Sequence, residues 1–156
     1  MNHDTIMQYK GGKLDLPAMD IRNYREEYFT PELELESDIF YDLRVRHDIR
    51  PHRIVDSTAS EMREIREFFE ANKDTFYFLF EGNELIGSAM VRRNEIHCLS
   101  VARKFHRRGY GAMLTKYCVN SALAKGYACV ELRVLNDNAP AISLYQKIGF
   151  EIIGEG

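Results

Sequence analysis

The chain is poor in cysteine, and Cys98, Cys118 and Cys129 form no Cys-x-x-Cys pair, which argues against a disulfide framework or a thiolate zinc site. All three are read as buried thiols, Cys98 included, because its neighbours alternate as in a core strand. His3, His47, His52, His97 and His106 show no metal-ligand spacing, so no metal is expected. No apolar run approaches the roughly 20 residues that span a bilayer, which excludes a membrane-spanning helix. The first residues, Met1-Asn2-His3-Asp4, carry neither a basic leader nor an apolar signal core, and a cytoplasmic location is the expectation. A pI near 6.0 without a basic, aromatic-interleaved stripe disfavours a nucleic-acid partner. Repeats, low-complexity tracts and interdomain linkers are also missing.

What remains is an ordinary globular composition, 45% hydrophobic and 29% charged, in 156 residues. That length predicts one domain over 14–156, preceded by a segment, 1–13, of little periodicity that is expected to be mobile. Charge is uneven. Residues 1–75 hold 17 acids and 11 bases, a balance of −6, whereas residues 76–156 hold 7 acids and 10 bases, a balance of +3. Such a chain suits a polyanion at one end and a cationic substrate at the other, with the acids between Glu26 and Asp38 drawing an amine inward.

Leu14–Ile21 reads as a first strand, placed near an edge by Pro17. Thr30, Pro31 and Glu32 read as the cap and first turn of a helix carrying Leu35, Ile39, Phe40 and Leu43 and ending before Pro51. Thr58 with Glu61 forms a capping box for a helix whose inner stripe is Met62, Ile65, Phe68 and Phe69. Phe76–Phe80, Leu85–Arg92 and Glu95–Val101 read as three antiparallel strands joined by tight turns. A helix after Gly111, ending near Gly126, a strand over Ala128–Leu135 and a short helix from Asn138 to Gly149 complete the pattern. Antiparallel strands followed by a right-handed strand-helix-strand crossover predict an α/β fold, a mixed sheet with helices on its faces.

The chemistry centres on Ala102–Leu114, A-R-K-F-H-R-R-G-Y-G-A-M-L. Gly109 and Gly111 permit positive φ and close backbone approach. Successive N–H groups, with the free amides of the following helix, then form a cradle for a pyrophosphate. Arg103, Lys104, His106, Arg107 and Arg108 add positive charge. A nucleotide P-loop would need Gly-Lys-Ser/Thr, and a dinucleotide fingerprint would need a glycine where Leu114 stands.

The run His106-Arg107-Arg108-Gly109-Tyr110-Gly111 resembles the Gln/Arg-x-x-Gly-x-Gly/Ala loop of the GNAT acyltransferase superfamily, with histidine at the first place. The resemblance is close over Leu85–Phe150. It implies a sheet whose two parallel strands splay apart, acetyl-CoA as co-substrate and no metal. It also implies a small-molecule or protein amine as acceptor and direct transfer in a ternary complex. The implied cofactor-binding residues are Leu99, Ser100 and Val101, whose N–H groups polarise the carbonyl, then His106, Arg107, Arg108, Gly109, Tyr110, Gly111 and Ala112. Asn138 and Tyr145 complete that set. Glu95 matches the family's base and Tyr145 the tyrosine that protonates the departing sulfur, while His97, two residues along the same strand, assists or replaces Glu95. A non-catalytic acyl-CoA sensor or scaffold is the second reading, and a phosphate-anion protein unrelated to CoA the third. The family usually supplies a further strand after Phe150–Gly156, so an open edge is expected here, completed either by a second chain in a homodimer or by sequence beyond Gly156.

Overall fold

The structure is a computed structural model describing residues 3–156. Its strands are β1 (Asp4–Tyr9), β2 (Asp20–Arg22), β3 (Phe76–Glu81), β4 (Glu84–Arg92), β5 (Glu95–Val101), β6 (Val130–Leu135) and β7 (Glu151–Glu155). Its helices are α1 (Phe29–Ile39), α2 (Tyr41–Arg46), α3 (Ala59–Ala71), α4 (Tyr110–Ala124) and α5 (Ala139–Ile148). The strands form a seven-stranded mixed sheet in the order β2-β3-β4-β5-β6-β1-β7. Backbone contacts divide the chain into two compact units. One holds the chain up to Ala18 with Ala89–Leu99 and Gly111–Gly156; the other holds Met19–Ser88 and Ser100–Tyr110.

In the first unit, β5 and β6 pair in parallel through Glu95↔Glu131 and Ile96↔Leu132, and no later pair joins them among the described residues. The strands therefore splay. Cys98 takes left-handed backbone, φ +55, just beyond the last pair and is exposed, and Cys129 is half-buried; only Cys118 fulfils the expectation of a buried thiol. Val130, Leu132 and Val134 lie on the inner face of β6, and Leu114, Cys118, Val119 and Ala122 are the buried stripe of α4. Gly126, at φ +96, ends that helix where predicted.

Strand β1 falls inside the segment read as aperiodic and mobile, whose Met1 and Asn2 lie outside the described residues. Thr5, Met7 and Tyr9 alternate into the core. β1 is antiparallel to β6 on one side, Asp4↔Leu135 to Tyr9↔Val130, and to β7 on the other, with Asp4 N–H donating to the Gly156 carbonyl at 3.1 Å. β1 thus lies between β6 and β7, and β7 stands at one edge of the sheet. Leu14, expected to start a strand, is instead held by Asn120 of α4, which accepts its N–H and donates to its carbonyl, both at 2.8 Å.

In the second unit the strand predicted over Leu14–Ile21 shrinks to β2, which is indeed an edge strand, paired antiparallel to β3. Helix α1 begins at Phe29 without a side-chain cap, and Pro31 still falls in the first turn, where a missing N–H costs nothing. At Phe40 the backbone leaves helical geometry (φ −96°, ψ 5°), so the single helix predicted up to Pro51 is two. The capping box of α3 is present, Glu61 N–H to Thr58 Oγ1 at 3.1 Å and Thr58 N–H to Glu61 Oε1 at 2.8 Å. Phe69 is buried there, whereas Phe68 is 45% exposed.

Candidate functional site

The loop after β5 lies in the second unit. Arg107 (φ +65) and Gly109 (φ +83) both take left-handed backbone, the alternation that turns successive N–H groups toward one concavity. Among the described residues no hydrogen bond engages the N–H groups of Arg107, Arg108, Gly109 or Tyr110. The chain then enters α4, whose first-turn amides lack helical partners by construction. These residues fit a pyrophosphate.

The side chains of the loop are distributed differently from the even basic cluster that the sequence suggests. Arg103 Nε binds Asp38 Oδ2 at 3.0 Å while its Nη2 donates to the Asp38 carbonyl at 3.0 Å. Lys104 Nζ binds Glu84 Oε2 at 2.6 Å. His106 turns its Nε2–H onto the Val101 carbonyl at 2.6 Å and closes the loop on itself. The Tyr110 hydroxyl donates to Glu81 Oε2 at 2.9 Å, and that bond holds its phenol above the ordinary tyrosine range. Arg107 and Arg108 have no ion pair among the described residues, Arg108 resting 5.5 Å over the Phe105 ring.

Ser100 and Val101, also in this unit, are approached by β4 at Gly87. A Cβ at Gly87 would meet the Ser100 carbonyl oxygen at 2.5 Å, so only glycine lets the strands pass this closely. Leu99 belongs to the first unit and is half-buried.

The first unit holds both candidate catalytic side chains. Glu95 Oε2 lies 3.2 Å from His97 Nε2, the pairing that their shared strand face predicts, and the two side chains are 48% and 36% exposed. Tyr145 sits on α5, packed against Phe150 at 5.9 Å between ring centroids. Its hydroxyl makes no hydrogen bond among the described residues. Burial first, then nearby Cys118, raises its pKa to about 12. Burial alone raises the Cys118 thiol to about 12. Asn138 caps α5, accepting the Ala141 N–H at 3.3 Å.

The acids expected to attract an amine separate into two kinds. Glu34 is exposed, but Glu32 is 2% exposed and receives the Ser88 hydroxyl at 2.7 and 2.8 Å from its two oxygens. Burial first, then the Glu36 charge, pushes the Glu32 carboxyl well above its ordinary range, and burial likewise raises Glu36. A sealed carboxyl is not a surface attractor, which corrects that expectation for Glu32, whereas Glu36 is half-buried. Asp38, Glu81 and Glu84, which hold the loop, went unnoticed in the sequence because their partners lie 65, 29 and 20 positions away.

The model of the acetyltransferase (GNAT) family matches residues 25–150. A mycothiol acetyltransferase of Corynebacterium jeikeium is 37% identical over 62 residues, 40% of this chain and 18% of that protein. A streptothricin acetyltransferase of Streptomyces lavendulae is 30% identical over 105 residues, 64% of this chain and 56% of that protein. The chain thus spans less than two thirds of either relative. A GCN5-related N-acetyltransferase from Sphaerobacter thermophilus superposes with TM-score 0.71 at 17% identity, over 99% of this chain and 49% of that one. Among the described residues no helix is long and apolar enough to cross a membrane, and no cluster of His, Cys, Asp and Glu is arranged to hold a metal ion.

Proposed function

Because this chain belongs to the acetyltransferase (GNAT) family, we propose that it moves an acetyl group from acetyl-CoA directly to an amine, with both substrates bound at once. The observation that carries this reading is the unengaged run of N–H groups over Arg107–Tyr110, set in left-handed backbone ahead of a helix. These amides, with those of Gly111 and Ala112 and the unpaired Arg107 and Arg108, bind the pyrophosphate. The Leu99–Val101 backbone serves the thioester carbonyl, where N–H donors stabilise charge that develops on oxygen. Asn138 spends its side-chain oxygen on its helix and keeps its amide donor for the cofactor.

An alkylamine near pKa 10.4 is only about one part in a thousand neutral at pH 7, so the proton must leave. Glu95, half-exposed and joined to His97, accepts it through water. The amine nitrogen forms its bond to the carbonyl carbon as the carbon–sulfur bond breaks, and Tyr145 returns a proton to the departing sulfur. A tyrosine raised to about 12 is a poor acid toward a thiolate in water. Burial at Cys118 lifts a thiol to about 12 as well, so a thiolate equally buried would match Tyr145 closely. Relatives named for mycothiol and for streptothricin support an amine acceptor and differ in which one.

The test is release of free CoA thiol from acetyl-CoA against a broad amine set, beside calorimetric titration with acetyl-CoA and ADP. Thiol release that depends on amine, with ADP bound much more weakly, is the expected outcome. Binding of acetyl-CoA without thiol release from any amine would favour the sensor, and equal binding of ADP the general anion protein.

A further inference from the structure

Three carboxylates stand around a loop whose proposed ligand is a polyanion, an arrangement that Coulomb repulsion alone would disfavour. Each is engaged with the loop itself, and all lie in the second unit: Asp38 with Arg103, Glu84 with Lys104, Glu81 with the Tyr110 hydroxyl. Asp38 belongs to the last turn of α1, while Glu81 and Glu84 flank the two-residue turn Gly82-Asn83 between β3 and β4. The tethers therefore reach both ends of the loop from rigid elements. Phe105, 8% exposed, anchors the middle, edge-on to Tyr110 at 5.9 Å, and the Ala102 N–H is fixed to the Ile86 carbonyl at 2.9 Å.

We infer that Asp38, Glu81 and Glu84 are positioning residues for the anion cradle, holding Arg103, Lys104 and Tyr110 so that the N–H groups between them stand in place before a ligand arrives. The left-handed conformation at Arg107, a residue with a Cβ, needs such bracing because unaided L-residues avoid it. Preorganised donors cost no ordering at the moment of binding. The inference rests on the acetyl-CoA reading for its ligand, though the bracing itself can be measured without one.

Bracing and simple electrostatics predict opposite signs. If the acids only repelled the phosphates, removing any of them would tighten acetyl-CoA. If they brace, Asp38→Asn and Glu84→Gln each raise the acetyl-CoA KM about threefold, the weight of an exposed ion pair, with kcat and thermal midpoint unchanged. Glu81→Ala does the same. Glu81→Gln keeps an acceptor for the Tyr110 hydroxyl and is expected to restore wild-type KM. In the ligand-free protein, amide hydrogen exchange at Ala102, Phe105 and His106, which are hydrogen-bonded within or next to the loop, is expected to quicken in Glu81→Ala and Glu84→Gln. An unchanged or lowered KM with unchanged exchange would overturn the inference. Wild-type protein that binds no acetyl-CoA would count against the acetyl-CoA reading instead, and the exchange measurement would still decide the bracing.

Discussion

Glu32 and Glu95 are both carboxylates that the sequence brings forward, and the fold treats them in opposite ways. Glu32 is sealed, has both oxygens in contact with Ser88 and is pushed toward its protonated form. Glu95 is half-exposed and has one histidine 3.2 Å from its carboxylate. The difference separates an acid closed off from solvent from one that solvent reaches, as the proposed role of Glu95 requires. Tyr145 is the instructive intermediate, half-buried where Glu32 is sealed and without a hydrogen bond among the described residues.

The contrast is sharpened most by Glu95→Gln, which is expected to lower kcat about 10²-fold at pH 7 with little change in stability. Rate against pH should show the defect narrowing as the pH approaches the amine's own pKa near 10.4, where a base is no longer needed. A variant as active as wild type would remove Glu95 from the chemistry and leave His97. Tyr145→Phe can break the contrast. If an unpartnered tip marks chemistry, kcat falls by about tenfold or more while the thermal midpoint holds, because the hydroxyl supports nothing. If burial alone marks a structural side chain, activity persists.

The smallest effect belongs to Glu32→Gln, where activity is expected to stay and the pH profile of stability to change. A carboxyl whose folded pKa is raised contributes stability that is present below its unfolded value and lost as pH rises through the folded one. Wild-type protein should therefore be less stable in mildly alkaline than in mildly acidic solution. The substituted side chain, an amide that is neutral throughout and able to meet Ser88, should flatten that decline. Denaturant midpoints at the two pH values decide it; parallel declines in both proteins would assign the loss to other groups, Glu36 first among them.

Much of this arrangement was readable from residues because it is local. Alternation over Phe76–Phe80, the glycines of the loop and the helical spacing after Gly111 each specify a structure within a few residues of themselves. The same locality made the cradle stand out. What escaped depends on distant partners: the use of Arg103 and Lys104 as tethers, the sealing of Glu32 by a serine 56 positions away, and the six residues of β1. β1 is too short and too mixed in polarity to announce itself, with Ile6 on the less buried face beside Asp4 and Gln8. The left-handed backbone at Cys98 had no signal either, since a strand pattern shows alternation but not the point at which it is broken.

The place of β1 also bears on how the molecule is assembled. Its partners in β6 lie about 120 to 130 positions further along the chain, about as non-local as pairing can be in a protein of this size. β1 is made first and has to wait for both neighbours, and until it docks between them β6 and β7 each keep a row of unsatisfied backbone groups open to the wrong partner. A bulky fusion ahead of Asp4 would thus act on solubility during folding before it acted on the finished fold.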